Sequence, residues 1–200
     1  NLFEQIEKAI DLLFTKYIKA FISYENKINR IETYEYPKDA IREALLNAIA
    51  HKDYSGGVPI QISVYKDKIM IWNEGQLPED WTIETLIAKH SSKPYNPDIA
   101  LAFYRSGYIE SWGRGTIKII KECKQAGIPE PVFSYDSSDI SVEFRKNIYN
   151  EKYLQSLDLN ERQVKALLYL KEKGKITNSD YQTLNDVSRE TATRDLKELI

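Results

Sequence analysis

The sequence predicts an α+β chain in two parts, a larger one over residues 1–147 and a small all-helical one over residues 148–200. Three observations carry this expectation. Up to Lys146, runs with helical apolar spacing alternate with short runs in which every second residue is apolar. Past Ser156 only helical spacing recurs. The stretch between, Asn147 to Ser156, has neither pattern and marks the boundary.

Taken in order, Leu2, Phe3, Ile6, Ile10, Leu13, Phe14, Tyr17 and Ile18 keep helical spacing and predict a first helix to about Ala20. Asn26 to Tyr36 alternates through Ile28, Ile31, Thr33 and Tyr34 and reads as a strand that Pro37 ends. A second helix begins around Pro37-Lys38-Asp39 and runs to Ser55, where Ser55-Gly56-Gly57 makes a turn. Ile60, Ile62 and Val64, then Ile69 and Ile71 across Lys66-Asp67-Lys68, read as a β-hairpin. Thr82 can cap a short helix from Ile83 to Lys89, and the proline-bearing segment from His90 to Pro97 is a loop. Helices over Asp98–Ser106 and Ile117–Ala126 follow, ended by Gly107 and Gly127, and Ile140, Val142 and Phe144 form a last strand. In the second part, Leu159–Lys173 with Asn160 as its cap, a short helix opened by Thr177, and Arg189–Ile200 capped by Ser188 are predicted helices.

Composition narrows the function. Hydrophobic content of 42% and charged content of 29% are ordinary for a globular protein. The net charge of −2 gives no polycationic character, so any nucleic-acid contact must come from a local surface. The single Cys123 excludes an intrachain disulfide and a cysteine-based zinc site, and it suits a reducing cytosol and a cytoplasmic location. No apolar run is long enough to span a bilayer. The chain begins at Asn1 and stops at Ile200 within a helical pattern, so a longer parent protein is expected.

The stretch from Ile41 to Ser55 carries Glu43, Asn47 and His51 at four-residue steps, which places all three on one helix face. A core-facing helix has no need of a carboxylate, an amide and an imidazole in register, so the row reads as a wall aimed at a ligand; a solvated face is the alternative. Two glycine turns, Asn73-Glu74-Gly75 and Gly113-Arg114-Gly115-Thr116, flank helices or strands, and the second opens a helix whose N-terminal N–H groups favour anions. Lys93 and Arg114 lie in loops from which they could reach phosphates. His51 and His90 are the only histidines, too few ligands for a metal centre of their own. In the second part Arg189, Thr191 and Thr193 stand near the start of the last helix, with Arg194 and Lys197 further along. That is the order in which a recognition helix presents base-reading and phosphate-binding side chains. Residues 151–200 hold nine Lys and Arg against nine Asp and Glu, low for a DNA binder, so use of these helices for protein contact is the alternative.

The order of elements and the Glu43-x-x-x-Asn47 row resemble the GHKL ATP-binding fold of histidine kinases, Hsp90, MutL and gyrase. More closely, REALLNAIAHKDY, IQISVYKDKIMIWNEGQLPE, KHSSKPYNPDIALAFYRSGYIESWGRGTIKIIKECKQAGIPEP and the C-terminal helices resemble a family labelled transcriptional regulators, or RecG-like "ATP-dependent DNA helicase-related" proteins. The resemblance implies a GHKL-like α/β sandwich with a mixed sheet, followed by a winged helix-turn-helix whose wing would lie past Ile200. An AlbA/Schlafen-type domain commonly lies upstream. It implies Glu43 as a catalytic carboxylate and Asn47 as the residue facing magnesium through a nucleotide. His51, Asn73, Gly75, Lys93, Gly113, Arg114, Gly115 and Thr116 would line an ATP site. The sequence departs from active members: Asn73 stands where they have the adenine-reading Asp, and the glycine boxes are thinned, which weighs against hydrolysis. No Gly-x-x-x-x-Gly-Lys-Ser/Thr loop of motor NTPases is present. The leading expectation is therefore a homodimeric DNA-binding transcriptional regulator with a nucleotide pocket. The alternatives are a magnesium-dependent ATPase driving a conformational cycle and a non-catalytic interaction module.

Overall fold

The structure is a computed structural model that describes residues 1–25, 29–110, 112–147, 154, 157 and 159–199. It divides into two compact units, Asn1–Lys146 and Asn147–Ile200.

In the first unit, Asn1 caps helix α1 (Leu2–Leu12) in a reciprocal capping box with Glu4. The predicted first helix does not stay α-helical to Ala20: at Leu13 it widens into a π-type turn (Leu13–Tyr17) that buries Leu13 and Phe14, and Ile18 is already extended. Strand β1 (Ala20–Glu25) follows and pairs antiparallel with β2 (Asn29–Tyr34), from Ala20 opposite Tyr34 to Glu25 opposite Asn29. β1 is an element the periodicity missed, because its apolar residues continue the spacing of the preceding helix. The strand expected over residues 26–36 is shorter, and residues 26–28 lie outside the described residues.

Helix α2 (Lys38–His51) is the centre of this unit. Nine of its residues, including Ala40, Ile41, Leu45, Leu46 and Ile49, are buried, since α1, α5 and the sheet all pack on it. It ends at His51 and not at Ser55: Lys52 is extended (φ −61°, ψ 138°), and Asp53 N–H instead donates to Glu74 O, which ties the chain to the sheet.

The main sheet has strand order β3-β4-β6-β5, with β3 at Gln61–Val64, β4 at Lys68–Glu74, β5 at Val132–Asp136 and β6 at Asp139–Arg145. Every ladder in it is antiparallel, which corrects the expected mixed sheet. The reason lies in the connections. The helical crossover from β4 does return β5 in the same direction as β4, but β6 hairpins back at Ser137 (φ 51°) into the space between them and pairs with both. β5 was also missed in the sequence, where Pro129 and Pro131 mask its start. Ile69, Ile71 and Asn73 alternate on the face of β4 that meets α2, opposite Phe144, Val142 and Ile140 of β6.

Between β4 and β5 lie α3 (Ile83–Ile87), capped by Thr82, α4 (Pro97–Arg105) with its proline at the first helical position, and α5 (Gly115–Gln125). Cys123 is fully buried on α5, and burial pushes its thiol up to about 12. Among the described residues no helix is long and apolar enough to cross a membrane.

The second unit contains α6 (Glu161–Lys173), α7 (Asn178–Asn185) and α8 (Arg189–Glu198), capped by Asn160, Thr177 and Ser188. Its buried apolar centre is small: Ala166, Tyr181 and Ala192, flanked by Ile176, Val187 and Leu196. A polar network supplements it. Asp195, 1% exposed, accepts from Arg162 Nε at 2.7 Å and from Tyr181 Oη at 3.0 Å, and Gln163 Nε2 donates to the Asp195 carbonyl at 3.2 Å.

Candidate functional site

The four-residue steps on α2 do bring Glu43, Asn47 and His51 onto one wall of a cavity between α2, the sheet and α5. The cavity has a volume of about 110 Å³. Apolar groups form most of its lining, with Ala44, Ala48, Ile71, Leu77, Trp81 and Ile119 among them. Asn73, Lys93, Gly113, Gly115 and Thr116 complete the predicted set in the wall. Gly75 and Arg114 are outside it: Gly75 is buried behind Asn73, and Arg114, at the N-cap of α5, is exposed.

Glu43 is 5% exposed. Burial raises its carboxyl above the usual value, against the opposing pull of Lys118, whose Nζ stands 3.6 Å from Oε2. Lys118 also lies 3.7 Å from Glu110 Oε2, a carboxylate that is 81% exposed. His51 is pushed down to about 4, first by burial and then by the neighbouring His90, so it is a neutral ring at pH 7. Asn73, 3% exposed, donates one Nδ2 N–H to Glu74 O at 3.1 Å, which leaves its carbonyl oxygen and its second N–H to offer a ligand.

The glycines are required by close approach of chain segments. A Cβ on Gly75 would meet His51 O at 2.6 Å, so the end of α2 and the end of β4 could not close together. Gly113 (φ +67°) would bring a Cβ within 2.3 Å of His90 O, so it holds the loop before α5 against the His90 loop. A Cβ on Gly115 would lie 2.6 Å from Asn47 Nδ2 and 2.8 Å from Glu43 Oε1. The start of α5 is thus seated on the Glu43–Asn47 row, where the positive end of the helix favours a carboxylate. Thr116, expected to face phosphate, donates its hydroxyl to Leu86 O at 2.7 Å and so ties α5 to α3.

Sequence reasoning missed three contributors. Trp81 meets the His90 ring edge-on at 4.3 Å, with Lys93 Nζ 6.0 Å from its centroid. His90 Nδ1 lies 3.0 Å from Ser91 O, a carbonyl that can only accept, so Nδ1 carries the proton. Its Nε2 is buried with no hydrogen-bond partner among the described residues. Lys118 was legible in principle, being three residues past Gly115 and so nearly one turn along the same helix.

On α8, Arg189, Thr193, Arg194 and Lys197 share a shallow surface depression with Glu190. The Thr193 hydroxyl accepts from Asn178 Nδ2 at 3.0 Å and donates to Arg189 O at 2.8 Å, and the Thr191 hydroxyl lies 3.2 Å from Ser188 Oγ, which spends part of their side-chain polar capacity within the unit. Arg194, with a side chain 65% exposed, stands 3.6 Å from Asp195.

Comparison with known proteins fits this geometry at the level of the domain. Residues 57–144 match the family model described as "Putative ATP-dependent DNA helicase recG C-terminal", which supports an ATPase-like domain. The matched stretch takes in β3 to β6 with Asn73 and Gly113–Thr116, and it begins after the Glu43–Asn47–His51 row. No curated protein matches the chain. Among solved structures the chain is similar in fold to the DIP2311 protein from Corynebacterium diphtheriae, with a TM-score of 0.62 and 18% identity. That similarity covers 99% of this chain and 42% of the other, so this chain spans less than half of that protein's length.

Proposed function

We propose that the first unit binds ATP or a related nucleotide in the cavity between α2 and α5, and that the second unit presents α8 to DNA, so that the chain serves as a nucleotide-responsive DNA-binding regulator. The observation that carries the reading is the meeting of Glu43, Asn47, Asn73 and Gly115 around one largely apolar cavity in an ATPase-like domain. ATP would bring a flat ring and a polyphosphate chain. The ring suits the wall of Ala44, Ala48, Ile71 and Trp81, with the Asn73 carbonyl as an acceptor for an amine. Lys93 and the start of α5 suit the phosphates.

At about 110 Å³ the cavity is smaller than ordinary ligand pockets of roughly 300 Å³ and above, so a whole nucleotide requires the pocket to widen. The donor set fits a nucleotide better than it fits a divalent ion. The carboxylate that would face such an ion already has an ammonium beside it, and among the described residues no three His, Cys, Asp or Glu side chains cluster as metal ligands. Glu43 is accordingly assigned to shaping the pocket.

Titration calorimetry with ATP tests the first half. Binding that weakens in Asn47→Ala is expected, and no binding at millimolar ATP would sink the reading. The DNA half is supported by the exposed cations Arg189, Arg194 and Lys197 on α8. Fluorescence anisotropy with duplex DNA should show affinity that falls with salt and falls again in Arg189→Ala. Binding unchanged in that variant would remove α8 from the interface.

A further inference from the structure

We infer that Lys118 takes the neutralising role of a divalent cation at Glu43, so that this site accepts a nucleoside polyphosphate without magnesium. The inference rests on the nucleotide reading above and specifies its charge balance. Gly115 and Lys118 sit about one turn apart on α5: a Cβ on Gly115 would meet Glu43 Oε1 at 2.8 Å, so the helix backbone packs close to the carboxylate there, and Lys118 Nζ stands 3.6 Å from Oε2.

The contact is a loose one. Tight ammonium–carboxylate pairs in this same unit are shorter, at 2.6 Å for Lys68–Glu143 and 2.9 Å for Lys146–Glu35. Lys118, with a side chain 28% exposed, is held between the buried Glu43 and the exposed Glu110 at 3.6 and 3.7 Å, so its three donors are not fully used. It borders Glu43 without forming part of the cavity wall. Its charge offsets Glu43, the acidic side chain in the wall among the described residues, and this lets an anion approach with Lys93 as the cation inside. A divalent ion placed on Glu43 would sit within a few ångströms of that ammonium, and the repulsion of two cations opposes it.

The test is calorimetric titration of the 200-residue chain with ATP, once in excess magnesium and once in excess EDTA. The wild type should bind within about twofold in the two buffers, and Lys118→Met, which leaves the buried Glu43 carboxylate facing the incoming phosphates without its cation, should lose about tenfold or more in EDTA. Lys118→Arg, which keeps the charge, should retain wild-type binding in EDTA. Wild-type binding that depends on magnesium overturns this inference and leaves the nucleotide reading standing. Lys118→Met binding as tightly as wild type in EDTA does the same. Absence of ATP binding in both buffers overturns the nucleotide reading and this inference with it. The wild-type comparison needs no variant, so it decides even where Lys118→Met fails to fold.

Discussion

Among the described residues each unit buries one carboxylate on a helix, Glu43 in the first and Asp195 in the second, and the two are treated in opposite ways. Asp195 on α8 receives two short hydrogen bonds, from Arg162 and Tyr181, with Arg194 nearby, and the Arg162 bond above all holds its carboxyl below the usual value. Among the described residues Glu43 on α2 has Lys118 as its ion-pair partner, at the longer distance of 3.6 Å, and burial raises its carboxyl. A buried carboxylate with its oxygens satisfied locks packed elements together. One left short of partners is costly to the fold and is kept where something else uses it. The first unit can carry that cost because its core is large, with Ile41, Leu46, Ile69, Ile71, Phe103 and Phe144 all essentially buried. Among the described residues the second has a smaller apolar cluster, Ala166, Tyr181 and Ala192, and the network adds to it.

The contrast can be broken by experiment. The largest effect is expected from Asp195→Ala, which strands the buried Tyr181 hydroxyl and unpairs Arg162. It should destabilise the second unit by about 3 kcal/mol, read from urea unfolding followed by amide signals of residues 160–199. A loss below about 1 kcal/mol would show that the apolar centre suffices.

A similar magnitude is expected from pH in the first unit. His51 has a folded value of about 4 against 6.5 for the free side chain, so the fold binds its proton less tightly than the unfolded chain does. Its stabilising contribution is present above pH 6.5 and is lost as pH falls toward 4, on the order of 3 kcal/mol in all. Urea midpoints of wild type and His51→Gln between these pH values check it, since the variant should lack that slope. Asp195 has the same sign in a lower window, its contribution present above 3.8 and lost as pH falls through its depressed folded value.

Next comes Gly115→Ala. The added methyl meets the ends of Asn47 and Glu43 and pushes α5 off the row, for a loss of about 2 kcal/mol in thermal or urea unfolding. The smallest effect is expected from Glu43→Gln. Its carboxyl is held above 4.5 in the fold, so its contribution to stability is present below pH 4.5 and is lost as pH rises through the folded value. Gln removes that loss, and at pH 7 the variant should be as stable as wild type or more so, by up to about 1 kcal/mol. A marked destabilisation would place Glu43 in the same class as Asp195 and end the comparison.

Local chemistry was readable in the sequence because it acts over a few residues. The caps Thr82, Asn160, Thr177 and Ser188 each accept the backbone N–H three residues on, as their positions before helical spacing required. The row on α2 was readable for the same reason, since four-residue steps share a face in any α-helix. Strands β1 and β5 were not, because a strand with few alternating residues becomes visible only through its partner. The Asp195 network also escaped: Arg162, Tyr181 and Asp195 lie on three different helices, and no periodicity links them.

The sequence by itself therefore determined the α+β composition, the helix starts, and the set of polar residues on one face of α2. Only the tertiary structure decided that the main sheet is wholly antiparallel, that α5 closes on the Glu43–Asn47 row through Gly115, and that Lys118 stands beside Glu43. Pairing, close approach and burial join residues far apart in the chain. Glu43 and Lys118 are brought together by the packing of α2 and α5, and nothing in either segment alone specifies that its partner will be there.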